Sequence, residues 1–160
     1  MSQSAKRIIV IECDNNPGVL SRITGLFTRR GYNIESLVTG VTDNPKVYRI
    51  MVTLISTEEE LELLVRQLED LLEVINVYKG DHGCVKKELM LIKVKCPLEK
   101  RGELIQTVNN IGLTVAAIGG DSVIVQTVGD DVSLELALRS LEQYGIEQTI
   151  RTGSIVMNID

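Results

Sequence analysis

Two tandem βαββαβ units, an α+β fold, are what this 160-residue chain predicts. Three observations carry the prediction. Apolar residues alternate between a two-residue and a helical period, in the same order twice. Cap and turn residues fall where the period changes. A short polar segment, Gly80-Asp81-His82-Gly83, divides the chain near its middle.

Residues 7–13, Arg-Ile-Ile-Val-Ile-Glu-Cys, form a strand on their β-branched content. The polar turn Asp14-Asn15-Asn16-Pro17-Gly18 follows, and Pro17 suits a first helical turn. Val19, Leu20, Ile23, Leu26 and Phe27 then keep helical spacing, with Arg22, Arg29 and Arg30 on the other face and Gly31 as the stop. Residues 33–41 and 47–55 are strands joined by Thr42-Asp43-Asn44-Pro45. Thr57 and Glu60 make a capping box for a second helix, whose buried stripe is Leu61, Leu64, Val65, Leu68, Leu71 and Leu72. A strand over 74–79 closes the first unit.

The order then recurs. Residues 88–96 are a strand with Met90, Ile92 and Val94 on one face. Leu104, Ile105, Val108 and Ile111 mark a helix that Gly112 ends. Strands over 113–118 and 122–128 flank the turn Gly119-Gly120-Asp121. Asp130 or Asp131 caps a helix carrying Leu134, Ala137, Leu138 and Leu141, and residues 146–150 and 154–158 supply a final strand or two. The expected domains are therefore 1–79, a linker over 80–85, and 86–160, each a ferredoxin-like unit. Units this small bury little core and leave one sheet face and two edges to cover, so at least a homodimer is expected.

Composition excludes several classes. The net charge is −5, and basic and acidic residues are spread evenly over the two halves, so no basic surface is set aside for phosphates. Aromatic residues are 3%, with no Trp and one Phe, too few for base stacking. No apolar run approaches the roughly 20 residues that span a bilayer. Met1–Lys6 has no apolar export segment, and Cys13, Cys84 and Cys96 are odd in number and far apart, which predicts reduced thiols in a cytoplasmic protein. Neither nucleic acid nor membrane is an expected partner.

Catalytic chemistry finds little to work with. His82, the single histidine, sits in the glycine-flanked linker and reads as a solvated loop residue. Glu58-Glu59-Glu60 and Asp130-Asp131 resemble paired carboxylates, but both fall at helix starts, where acidic side chains favour the macrodipole. Gly119-Gly120-Asp121 has no helix after it and reads as a hairpin turn, not a phosphate loop. No metal-ligand cluster is evident.

The Asn15–Gly18 turn has two readings. It is ordinary turn and cap chemistry, or it is a binding loop. A strand–turn–helix aims free backbone N–H groups into the turn, which suits a carboxylate. Gly18 lets a ligand approach the backbone. The Asn15 and Asn33 amides offer donors and acceptors to a zwitterion. Val19, Leu20 and Ile34 either house a small branched side chain or belong to the core.

These residues carry a resemblance. Asn15-x-x-Gly18-x-Leu20-Ser21-Arg22, Gly25-Leu26-Phe27 and Arg30-Gly31-Tyr32-Asn33-Ile34-Glu35-Ser36-Leu37 resemble the N-terminal ACT domain of the acetolactate synthase (acetohydroxyacid synthase) small subunit family. Asp43-x-Pro45, Arg49, Lys87-Glu88-Leu89-Met90-Leu91-Ile92-Lys93 and Ile150-Arg151-Thr152-Gly153 are similar to the family's pattern too, whereas residues 106–121 depart from it, lacking its more charged helix-to-strand stretch. The resemblance implies a noncatalytic regulatory subunit in branched-chain amino acid biosynthesis. Such a subunit binds and activates a catalytic subunit, a transferase that carries thiamine diphosphate, Mg²⁺ and FAD, and it confers feedback inhibition by valine held where two ACT domains meet in a dimer. On that basis the effector residues are Asn15, Gly18 and Asn33, with Val19, Leu20 and Ile34 added by position. The alternative is a standalone amino-acid-sensing ACT module serving another partner.

Overall fold

The computed structural model describes residues 3–81 and 83–159, so His82 lies outside the described residues. Alternation along the first strand, β1 (Ala5–Asp14), organises the N-terminal unit. Ile9, Ile11 and Cys13 point to one side and join Val19, Ile23 and Phe27 of α1 (Val19–Arg29) and Leu61, Leu64 and Leu68 of α2 (Glu58–Glu69) in one core. Ile50, Val52 and Leu54 of β3 (Val47–Ser56) complete it. With β2 (Ile34–Val41) and β4 (Val74–Lys79) the sheet order is β2-β3-β1-β4, and β1 pairs antiparallel with both neighbours. The capping box is present as expected: Glu60 N–H donates to Thr57 Oγ1 at 3.2 Å, and Thr57 N–H donates to Glu60 Oε2 at 2.8 Å. The α2 helix stops at Glu69, however. Leu71 is only partly buried against the core, and Leu72, expected in the buried stripe, stands in the turn 98% exposed.

The second unit repeats the plan with β5 (Cys84–Lys95), α3 (Arg101–Asn110), β6 (Thr114–Ile118), β7 (Ser122–Gly129), α4 (Asp131–Leu141) and β8 (Ile146–Arg151) in the order β6-β7-β5-β8. Met90, Ile92 and Val94 pack with Leu104, Val108, Leu134 and Leu141. Ile111, placed in the helix stripe by its spacing, is exposed past the helix end. Asp130, not Asp131, caps α4: its Oδ1 accepts from Ser133 N–H at 2.9 Å and from the Ser133 hydroxyl at 2.7 Å. Glu88, almost fully buried, receives a two-bond fork from Arg151, Nε to Oε1 at 2.9 Å and Nη2 to Oε2 at 2.7 Å, which fastens β8 to the central strand.

The last strand, β9 (Ile155–Asn158), departs from the expected division of the chain. The compact units are Met1–Lys86 with Gly153–Asp160, and Lys87–Thr152, and β5 already begins at Cys84 inside the stretch expected to be linker. Residues after Gly153 thus group with the first unit. Ile8 and Val10, on the β1 face away from the helices, form a second small core with Val156, flanked by Met51, Tyr78 and Cys84. Part of the face expected to need a second copy is covered by the chain's own end. Gly153 enters it at φ 91, where an added Cβ would lie 2.9 Å from Val38 Cγ2 and 3.0 Å from Ser36 Cβ on β2.

Two outcomes follow for stability. Gly153→Ala adds both a left-handed strain and a clash, so urea denaturation should show a loss of about 2 kcal/mol with the fold retained. Asp130 is held below the usual carboxylate range by its hydrogen bonds to Ser133. A lowered folded value stabilises above the unfolded value and fades as pH falls through the lowered one. Acid titration of the second unit's stability should therefore lose a component below about pH 4, and Asp130→Asn should remove that component.

Candidate functional site

The β1–α1 loop forms an open cleft of about 410 Å³, lined by Asp14, Asn15, Asn16, Pro17, Gly18, Val19, Leu20 and Tyr48. Its volume falls within the range of small-molecule sites. Gly18 starts the helix at φ 86 with no side-chain cap. Val19 N–H donates to Asn16 C=O at 3.3 Å, but the N–H groups of Gly18, Leu20 and Ser21 find no partner among the described residues. They are the orphan donors of a helix start, at the positive end of its dipole. Pro17, Leu20 and the Tyr48 ring give the cleft apolar surface beside them.

The loop is held on both flanks. Asn15 N–H donates to Lys46 C=O at 2.9 Å, and Asn15 Nδ2 donates to Pro45 C=O at 2.9 Å. Asp14 N–H donates to Glu73 C=O at 2.8 Å, and Arg22 pairs with Glu73 at 2.6 Å. One donor of the Asn15 amide is thus already committed to protein.

Asn33 lies elsewhere. With Arg30, Gly31, Tyr32, Glu35, Glu60, Ser4 and Ile55 it lines a second, more polar cleft of about 470 Å³ beyond the C-terminal end of α1. The two asparagines therefore do not share one arrangement within the chain: α1, 11 residues or about 16 Å long, separates them. The Asn33 amide has no hydrogen-bond partner among the described residues and is exposed. Burial holds the Tyr32 phenol above its ordinary value, Glu60 adding to the shift and Arg30 opposing it, so Tyr32 stays a neutral donor.

Val19 and Ile34 go mainly to the core, Val19 buried and Ile34 packed against it, and Leu20 is the one of the three with its side chain substantially open to solvent. Tyr48 was not among the sequence candidates. No local sequence signal marks it: only the folded strand register, which pairs it with Cys13, brings it to the root of the loop, and its hydroxyl meets Thr39 Oγ1 on β2 at 3.1 Å. Among the described residues no group of three or more His, Cys, Asp or Glu side chains converges as metal ligands would, and no helix is long and apolar enough to cross a membrane.

Tandem βαββαβ units, the first opening a cleft at a glycine-started helix, define an ACT-type α+β protein. Comparison with known proteins agrees along the chain: residues 9–76 match the family described as AHAS small subunit-like ACT domain, and residues 87–159 match the family described as small subunit of acetolactate synthase. The chain belongs to the acetolactate synthase small-subunit family. A probable small subunit from Archaeoglobus fulgidus is 36% identical over 152 residues, 95% of this chain and 96% of that protein. The Bacillus subtilis small subunit is 38% identical over 151 residues, 93% of this chain and 88% of its own length. The crystal structure of the Thermotoga maritima small subunit superposes with a TM-score of 0.84 at 27% identity, covering 96% of this chain and 97% of that one.

Within the cleft, Gly18 is the residue whose backbone resists an added side chain, at φ 86. Gly18→Ala forces an L-residue into the left-handed region and brings a Cβ within 3.2 Å of an Arg22 guanidinium nitrogen. Thermal unfolding should report a loss of about 1 kcal/mol, with the sheet intact by circular dichroism.

Proposed function

We propose that this small subunit is a noncatalytic regulator that raises the activity of the acetolactate synthase catalytic subunit and confers feedback inhibition by valine. The observation that carries the reading is the β1–α1 cleft, where three N–H groups without partners stand beside apolar surface. An α-carboxylate suits the N–H groups of Gly18, Leu20 and Ser21, and a short branched side chain suits Leu20, Pro17 and Tyr48. The thiamine diphosphate, Mg²⁺ and FAD of the reaction belong, on this reading, to the catalytic subunit.

The site is completed by a second copy. One chain offers the Gly18 loop at one end of α1 and the unpartnered Asn33 amide at the other. A two-fold dimer turns such a pair into two composite sites, each taking the loop from one protomer and Asn33 from its partner copy. Family membership supports the same arrangement, since the residues matching its effector motif are Asn15, Gly18 and Asn33.

Calorimetric titration of the chain with valine, against leucine and alanine, should show saturable binding selective for valine. Gly18→Asp places a negative charge beside the effector carboxylate and should weaken valine at least tenfold. Asn33→Ala should do so too. Mixing the two variants tests the composite site: random re-pairing should restore about a quarter of the valine sites, because each mixed dimer rebuilds one intact pair. No restoration would place Gly18 and Asn33 in separate sites. Acetolactate synthesis by the catalytic subunit should rise on adding the chain and fall again with valine. Binding without activation would favour an amino-acid sensor for another partner.

A further inference from the structure

We propose that Asn15 is a positioning residue of the effector cleft. It fastens the β1–α1 loop to the β2–β3 turn, and the turn thereby sets how well the cleft takes an α-amino acid. This role rests on the effector reading above, but it moves Asn15 from contacting the ligand to holding the frame.

The geometry is a two-point attachment to consecutive carbonyls. The Asn15 backbone donates to Lys46 and its side-chain Nδ2 to Pro45, both at 2.9 Å. The turn that presents those carbonyls is itself folded by side chains. Asn44 Oδ1 accepts from Lys46 N–H at 3.1 Å, the Thr42 hydroxyl accepts from Asn44 N–H at 3.3 Å, and Val47 N–H donates to Asn44 C=O at 2.9 Å. None of Asp43, Asn44, Pro45 or Lys46 lines the cleft. On the other flank, Asp14 N–H and the Arg22 side chain both close on Glu73. The orphan N–H groups after Gly18 thus sit in a loop clamped between two turns, and the clamp on the Lys46 side passes through one amide. A side chain whose donor is spent on Pro45 orients the loop for the N–H groups that follow it.

The test separates orientation from contact. In Asn15→Asp the size and one oxygen remain, but the donor becomes an acceptor facing the Pro45 carbonyl. Asn15→Asp also brings a negative charge into the cleft that opposes the effector carboxylate, so the variant that isolates positioning is Asn44→Ala, which leaves the charge of the cleft unchanged. For Asn15→Asp a loss of about tenfold is expected by calorimetry on the full-length chain. Asn44→Ala touches nothing in the cleft, yet it frees Lys46 and should weaken valine as well. The double variant should be no weaker than Asn15→Asp alone, because both changes release one clamp. Hydrogen exchange of the Asn15 amide, measured without ligand, should speed up in Asn44→Ala. Unchanged valine affinity in either variant, or losses that add in the double variant, overturns the positioning role, as does unchanged Asn15 exchange. Failure of the unmutated chain to bind valine would instead remove the effector reading, and this role with it.

Discussion

The two-sided burial of β1 is the constraint on which the N-terminal unit depends. A central strand that pairs with β3 and β4 cannot shift register by one residue without exchanging its two faces. Here both faces are committed: Ile9, Ile11 and Cys13 to the helices, Ile8 and Val10 to Val156. A one-residue slip would bring Glu12, now held by Arg49 through bonds of 2.8 and 3.2 Å, into the helix-side core. That double commitment fixes where β1 ends, and therefore where the Asp14–Gly18 loop leaves the sheet and which backbone donors it offers.

The same topology does not give the same loop twice. In the second unit the connection from β5 to α3 runs through Pro97 and a 3₁₀ turn at Leu98–Lys100, and Lys100 precedes the helix in ordinary right-handed conformation. No left-handed glycine stands there. Arg101, at the head of α3, donates instead to the carbonyls of Gly119 and Gly120 at 2.9 and 2.6 Å, tying the helix start to the β6–β7 turn. Where the first unit leaves an open cleft beside orphan N–H groups, the second carries a side-chain tether. The difference lies in a few residues, Asn-Asn-Pro-Gly against Pro-Leu-Glu-Lys, on otherwise parallel element order.

How much of this was readable in the chain depends on how local the signal is. The capping box at Thr57 and the Gly119–Asp121 hairpin were legible because each is settled within a few residues, whereas the cap of α4 was narrowed only to Asp130 or Asp131. Both βαββαβ orders were legible because the hydrophobic period is a local property. Leu72 misled because helical spacing continues past Glu69 in sequence although the backbone has already turned. Asn33 was legible as an amide free to bind but not as one end of a helix whose other end carries Gly18, since that distance exists only once α1 is folded. The contacts of Asn15 with Pro45, of Tyr48 with the loop and of Val156 with Ile8 join residues about 30 or more apart, and nothing near either partner announces them.

A clamped loop also limits how regulation can work. Asp14 and Asn15 are held by carbonyls of Glu73, Lys46 and Pro45, so the donors beyond Gly18 stand in place before any ligand arrives. Binding to a preformed cleft loses little entropy to loop ordering, and for the same reason it moves the loop little. A ligand shifts an equilibrium only through a difference in affinity between two states. If the loop is nearly the same in both, the difference has to come from the group brought to it, the Asn33 amide of a second copy. On the proposed reading the variable in feedback is then the placement of one protomer against the other, and the β1–α1 loop is the fixed jaw against which that placement is sensed.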